Sequence, residues 1–211
     1  MRSMTTLLSM LRPGLLTLAA LTCLSLLEGC STVRPVPSEA VADNRLYHEH
    51  IAISGRFSVS YQQDGKPLSA QGRFQWQQRG DYIDIDLLSP LGQTLARIII
   101  TPGIAMLEQS GQAKRVATSA SELTEQMLGW PMPADGLRDW LQGFAPTGPG
   151  TRRAVDQSAA AGFDTEGWRV RYVSWQQHEH HAYPRRIDLV RLSPAANELS
   201  LRLVIDGWEP R

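Results

Sequence analysis

Apolar–polar alternation constrains this chain more than any other feature of its sequence. Over residues 55–61, Phe57, Val59 and Tyr61 fall on one face while Arg56, Ser58 and Ser60 fall on the other. That period of two marks a half-buried strand. Gly72, Phe74 and Trp76 repeat it, and Ile83, Ile85 and Leu87 repeat it against Tyr82, Asp84 and Asp86. Further alternating runs cover 94–100, 104–108, 168–174, 185–192 and 199–205. Turns such as Asp64-Gly65 are too short for the crossovers that parallel pairs need, so an antiparallel sheet is expected. One apolar and one wet face per strand point to an open barrel or a sandwich, not to a doubly wound fold.

A helical insertion interrupts the strands. Ser119-Ala120-Ser121-Glu122 fits a capping box, Leu123 and Met127 lie one turn apart, and Gly129 ends the run. Trp130-Pro131-Met132-Pro133 breaks the chain, and 135–142 restarts it with Leu137, Trp140 and Leu141 on one side. Such a pair is placed to cap the open end of a curled sheet. An amphipathic helix is expected over 38–50. Residues 145–167, rich in Gly, Pro, Ala and Thr, read as loop with at most one weak strand.

The first 29 residues read as a cleaved signal. Arg2 and Arg12 precede an apolar run at 15–27, too short to span a bilayer, which takes about 20 residues. Leu27-Glu28-Gly29-Cys30 resembles a bacterial lipobox, which implies that Cys30 carries the lipid anchor. Cleavage before it would remove Cys23 and leave no partner for a disulfide. Residues 30–38, polar and punctuated by proline, then form a lipidated tether, and Ser31 after the cysteine resembles the pattern of outer-membrane export.

Charge and motifs exclude several functions. Lys and Arg number 21 against 21 Asp and Glu, so the cationic surplus that nucleic acids require is missing. There is no G-x-S-x-G elbow, P-loop or G-x-G-x-x-G, and no enzyme activity or cofactor is expected. Asp84 and Asp86 share a face, but it is the wet one, and they read as surface charge. His178-Glu179-His180-His181 lacks the helical spacing of H-E-x-x-H and reads as a polar hairpin tip in preference to a metal site. Six tryptophans either fill the core or line a pocket for a long apolar ligand, and periodicity does not separate these. In Ser89-Pro90-Leu91-Gly92-Gln93, turn chemistry pushes Leu91 outward; against the ordinary lone exposed leucine stands a loop that dips into a bilayer.

Taken in order, the lipobox, the aromatic strands, S-P-L-G at 89–92, L-G-W-P-M-P-A-D-G-L-R-D-W-L-Q-G at 128–143, W-R-V-R-Y at 168–172, Y-P-R-R-I-D-L at 183–189 and L-R-L-V-I-D-G-W at 201–208 resemble the LolB family. Its members are outer-membrane lipoproteins that take other lipoproteins from a periplasmic carrier and insert them into that membrane. The resemblance implies a mainly β fold with an α-helical insertion: an incomplete antiparallel β-barrel over a hydrophobic cavity, covered by short helices, with 39–211 as a single lipid-binding domain. It implies that Phe57, Phe74, Trp76, Ile85, Leu87, Trp168, Val170, Leu201 and Leu203 line an acyl cavity, with Leu137 and Trp140 in its lid. Pro90, Leu91 and Gly92 become a membrane-insertion loop. The implied partners are a LolA-like periplasmic carrier, client lipoproteins with their acyl chains, and the inner leaflet of the outer membrane. The competing reading is a structural lipoprotein whose core is filled.

Overall fold

The computed structural model describes residues 45–157, 162–178, 181–192 and 199–211. The chain divides into two units, Met1–Val41 and Ala42–Arg211, and every strand and helix described belongs to the second. That unit carries its own hydrophobic core, which is what a domain needs to fold alone. The signal, Cys30 and the tether lie outside the described residues, as does most of the helix expected over 38–50. Its described end, 45–49, is not helical, and His50 already opens the first strand. The cause is plain in the side chains: Ile51 and Ile53 alternate with Ala52 and Ser54, and both isoleucines are buried.

Ten strands form one sheet: β1 (His50–Gln63), β2 (Lys66–Arg79), β3 (Tyr82–Leu88), β4 (Thr94–Thr101), β5 (Ile104–Glu108), β6 (Arg115–Ala117), β9 (Phe163–Thr165), β10 (Trp168–His178), β11 (His181–Arg191) and β12 (Ser200–Pro210). Their spatial order is β6-β5-β4-β3-β2-β1-β12-β11-β10-β9, every pairing is antiparallel, and β6 and β9 are left as edges, so the barrel is not closed. Chain reversal joins β1 directly to β12, which brings the first and last strands side by side. The alternation read from sequence is the alternation of burial. Ile51, Ile53, Phe57 and Val59 of β1, Phe74 and Trp76 of β2, Ile83, Ile85 and Leu87 of β3, and Leu201, Leu203 and Ile205 of β12 all face one core.

Two glycines set the spacing of that face. Gly55 pairs with Phe74, and Gly72 pairs with Phe57. A Cβ on Gly55 would lie 2.8 Å from the Phe74 ring and 2.2 Å from the Val204 carbonyl, and one on Gly72 would lie 2.9 Å from the Phe57 ring and 2.2 Å from the Leu88 carbonyl. Each ring therefore lies over the glycine across the strand, an arrangement that shields the bare backbone where a sheet bends.

Among the described residues two helices cover the inner face, α1 (Ala120–Leu128) and α2 (Ala134–Trp140). Ser119 caps α1, its hydroxyl accepting from the Glu122 N–H at 3.2 Å. The loop expected over 145–167 is more structured than its composition indicates. Strands β7 (Phe144–Gly148) and β8 (Thr151–Ala154) make a separate hairpin, and β9 adds to the main sheet. Pro, Thr and Ala give little alternation to read. What holds the hairpin is long-range: the Val155 N–H bonds Gly143 O at 3.0 Å, and buried Arg45 donates to both the Gly143 and Val155 carbonyls.

The ends of the sheet differ. At one end the described chain arrives, where Gly80 N–H bonds Glu49 O and Arg211 N–H bonds His50 O. The Ser89–Gln93 turn lies toward the other, because β3 runs from Tyr82, opposite Arg79, to Leu88, opposite Arg73.

Candidate functional site

The inner face of the sheet and the underside of the helices enclose a small apolar hollow. Its floor is Phe57 from β1, Phe74 and Trp76 from β2, Ile85 and Leu87 from β3, and Leu201 and Leu203 from β12. Its roof is Trp130 and Met132 from the segment between the helices, with Leu137 of α2 and Leu141 just after it. The free volume is about 30 Å³, one water's share of the liquid. With no polar group in the lining, such a space stays dry.

Seven of the nine floor residues expected from sequence are brought together there, along with Leu137 of the lid. Trp168 and Val170 are buried but do not reach it. They lie on β10, and β11 intervenes between that strand and β12. Alternation assigns a face, not a lateral position. Trp140 is fully buried and also lies outside the lining, folded against Gly136, with its carbonyl accepting the Tyr172 hydroxyl at 3.0 Å. Burial pushes the Tyr172 phenol far up, which keeps it a neutral donor. Trp130 and Met132 were missed, and Leu141, placed on the same side as Leu137, was left out of the lid. The signal was the W-P-M-P run itself: proline favours extended chain on either side, and extended chain sends residues 130 and 132 the same way.

Polar contacts pin the roof. The Met132 N–H donates to the buried Thr124 hydroxyl at 2.8 Å, and that hydroxyl donates to Ala120 O at 2.9 Å. Arg138 of α2 holds Asp81 in the β2–β3 turn at 2.7 Å. The buried Gln142 amide brackets the backbone of His48, accepting from its N–H at 2.9 Å and donating to its carbonyl at 3.0 Å. Arg45 donates to Gly143 O at 2.5 Å and to Ala182 O at 3.0 Å, its guanidinium 4.3 Å from the Trp175 ring centre. On α2, burial raises the Asp139 carboxyl, opposed by Arg152 at 3.4 Å. Replacing Thr124 by the isosteric valine leaves the Met132 N–H buried without its acceptor. That is expected to cost about 1–3 kcal/mol, read as a lower Tm in thermal denaturation, and to loosen the roof above the hollow.

The Ser89–Gln93 turn is built to project. Gly92 N–H bonds Ser89 O at 2.9 Å, Ser89 N–H bonds Gln93 O at 2.8 Å, and Gly92 takes φ 88°. This is a type I turn closed by a left-handed glycine. It leaves Leu91 91% exposed, with Leu95 beyond it half exposed. Glu179, His180 and the side chains of His178 and His181 lie outside the described residues; the backbone of His178 pairs with that of His181. Asp84 and Asp86 sit on the outer face, where both pair with Arg97.

Residues 49–208 match the family model described as outer membrane lipoprotein LolB. An outer-membrane lipoprotein LolB of Cupriavidus necator is 41% identical over 90% of this chain and 96% of its own. Its counterpart in Cupriavidus taiwanensis is 40% identical over 90% of this chain and 97% of its own. Among solved structures, a LolA superfamily protein from Nitrosomonas europaea aligns over 79% of this chain and 88% of its own, with 12% identity and a TM-score of 0.47.

Proposed function

Because this chain belongs to the LolB family of outer-membrane lipoproteins, we propose that it receives lipoproteins from a LolA-like periplasmic carrier, holds their acyl chains beneath its helices, and releases them into the inner leaflet of the outer membrane. The observation that carries this is the apolar hollow itself, floored by the sheet and roofed by a segment held through a few discrete hydrogen bonds. Each methylene left in water costs about 0.8 kcal/mol, so acyl chains must pass between apolar surfaces without exposure. At about 30 Å³ the hollow is the unloaded state. Cargo takes the place of Trp130, Met132, Leu137 and Leu141, which lift away from the floor. The chemistry forms and breaks no bond; direction follows from relative affinity, with the bilayer holding the chains most tightly. Lipidated Cys30 keeps the domain at the membrane, and Leu91 enters the bilayer at the moment of release.

The small volume favours a second reading, a lipoprotein whose packed interior binds nothing. An acyl chain bearing a quencher separates the two: on the first reading it dims Trp76 and Trp130, and on the second their emission does not change. The full activity is tested by reconstituting the lipidated protein in vesicles and adding a fluorescent client bound to its carrier. The client is expected to move to the vesicles; a client that stays with the carrier overturns the proposal.

A further inference from the structure

We propose that the outer face of β1, β2 and β12, beside the Ser89–Gln93 turn, is a seat for the headgroup phosphodiester of an anionic membrane phospholipid. Arg56 and Arg73 are direct partners across the β1–β2 pairing, on the face away from the core. Like charges placed opposite one another destabilise a strand pair, and Asp206, which holds the Arg56 fork and lies in the field of Arg73, offsets only part of that repulsion. Arg202 of β12, opposite Ser58, adds a third guanidinium. These three form a groove of about 380 Å³ with Pro90, Ser58 and Gln71, and among the described residues no carboxylate lines it.

Of the three arginines that line the groove, Arg56 pairs with Asp206 and Arg202 with Asp188, while Arg73 makes no ion pair among the described residues and lies within the field of Asp206. Asp206 is already held below the usual carboxylate range by its hydrogen bonds to Arg56, so it stays charged and fixes the Arg56 fork while leaving further N–H groups for an anion.

Position selects a lipid over a soluble phosphate. Arg73 pairs with Leu88, the last residue before the turn, and Pro90 is part of the groove wall. The basic groove is therefore continuous with a turn whose leucine is almost fully exposed. An apolar tip flanked by arginines matches the layering of a membrane surface, acyl region beyond phosphate. The inference deepens the delivery reading, since both assign the same turn to the same bilayer.

The test needs neither carrier nor client, so it fails or succeeds apart from delivery. Residues 42–211 are sedimented with vesicles of phosphatidylcholine alone or of phosphatidylcholine with a minor share of phosphatidylglycerol. Binding to the anionic vesicles is expected to be stronger and to weaken as salt rises. Arg73→Gln, which breaks no ion pair, should lower the preference about fivefold. Arg115→Gln, the same charge change on the distant edge strand β6, should not alter it. Soluble glycerol phosphate at constant ionic strength should not displace the protein. Equal binding to both vesicles, equal loss in the two variants, or displacement by glycerol phosphate overturns the proposal. So does an Arg73→Gln protein that keeps its full preference for the anionic vesicles.

Discussion

Leu91→Glu is expected to leave the fold and the uptake of cargo intact while cutting delivery into the membrane roughly 10- to 150-fold. The range comes from about 1.5–3 kcal/mol for moving a leucine side chain out of water, with 1.4 kcal/mol for each factor of ten. Nothing in the folded domain depends on this side chain, which is 91% exposed at the tip of a turn made entirely by backbone bonds and a serine hydroxyl. Its thermal stability should therefore stay within about 0.5 kcal/mol of the parent. Quenching by an acyl probe reports uptake, and appearance of client in vesicles reports delivery. Delivery at the parent rate would remove the turn from the mechanism.

Trp130→Ala should produce two large effects of opposite sign. Removing a buried indole from the roof costs about 3–5 kcal/mol of stability, since the surrounding packing closes only in part. The same deletion enlarges a hollow of about 30 Å³ and weakens the contact that cargo must displace. Apparent affinity for a chain is lowered by the fraction of molecules that are open, so each 1.4 kcal/mol taken from the opening cost tightens binding tenfold. Thermal denaturation measures the first effect, and quenching of Trp76 by the acyl probe measures the second. A protein that loses stability and gains no affinity has a core and not a binding site.

The faces of the sheet were legible because a period of two is a local property: Phe57, Phe74, Trp76, Ile85 and Leu87 could be assigned inward from their neighbours alone. Where the answer depended on distant partners, local pattern failed. The amphipathic helix expected over 38–50 ran up to His50, and only the pairing of His50 with Arg79 and of Ile51 with Pro210 fixes where the sheet begins. The β7–β8 hairpin depends on Arg45, about a hundred residues away in sequence, and a single arginine ahead of a strand carries no sign of the three carbonyls it holds. Trp168 and Val170 have the right phase but the wrong strand. Trp130 and Met132 were hidden beside prolines, read as interruption when they form part of the roof. The resemblance supplied the cavity as an idea; its volume belongs to the packing of side chains and is written in no motif.

The chain reaches the sheet at the level of Arg79, while the inserting turn springs from the level of Arg73, six residues along β2 and about 20 Å away. The described chain therefore enters at one end of the ladder and exposes its leucine at the other, so whatever surface meets Leu91 meets the domain at the end away from Glu49.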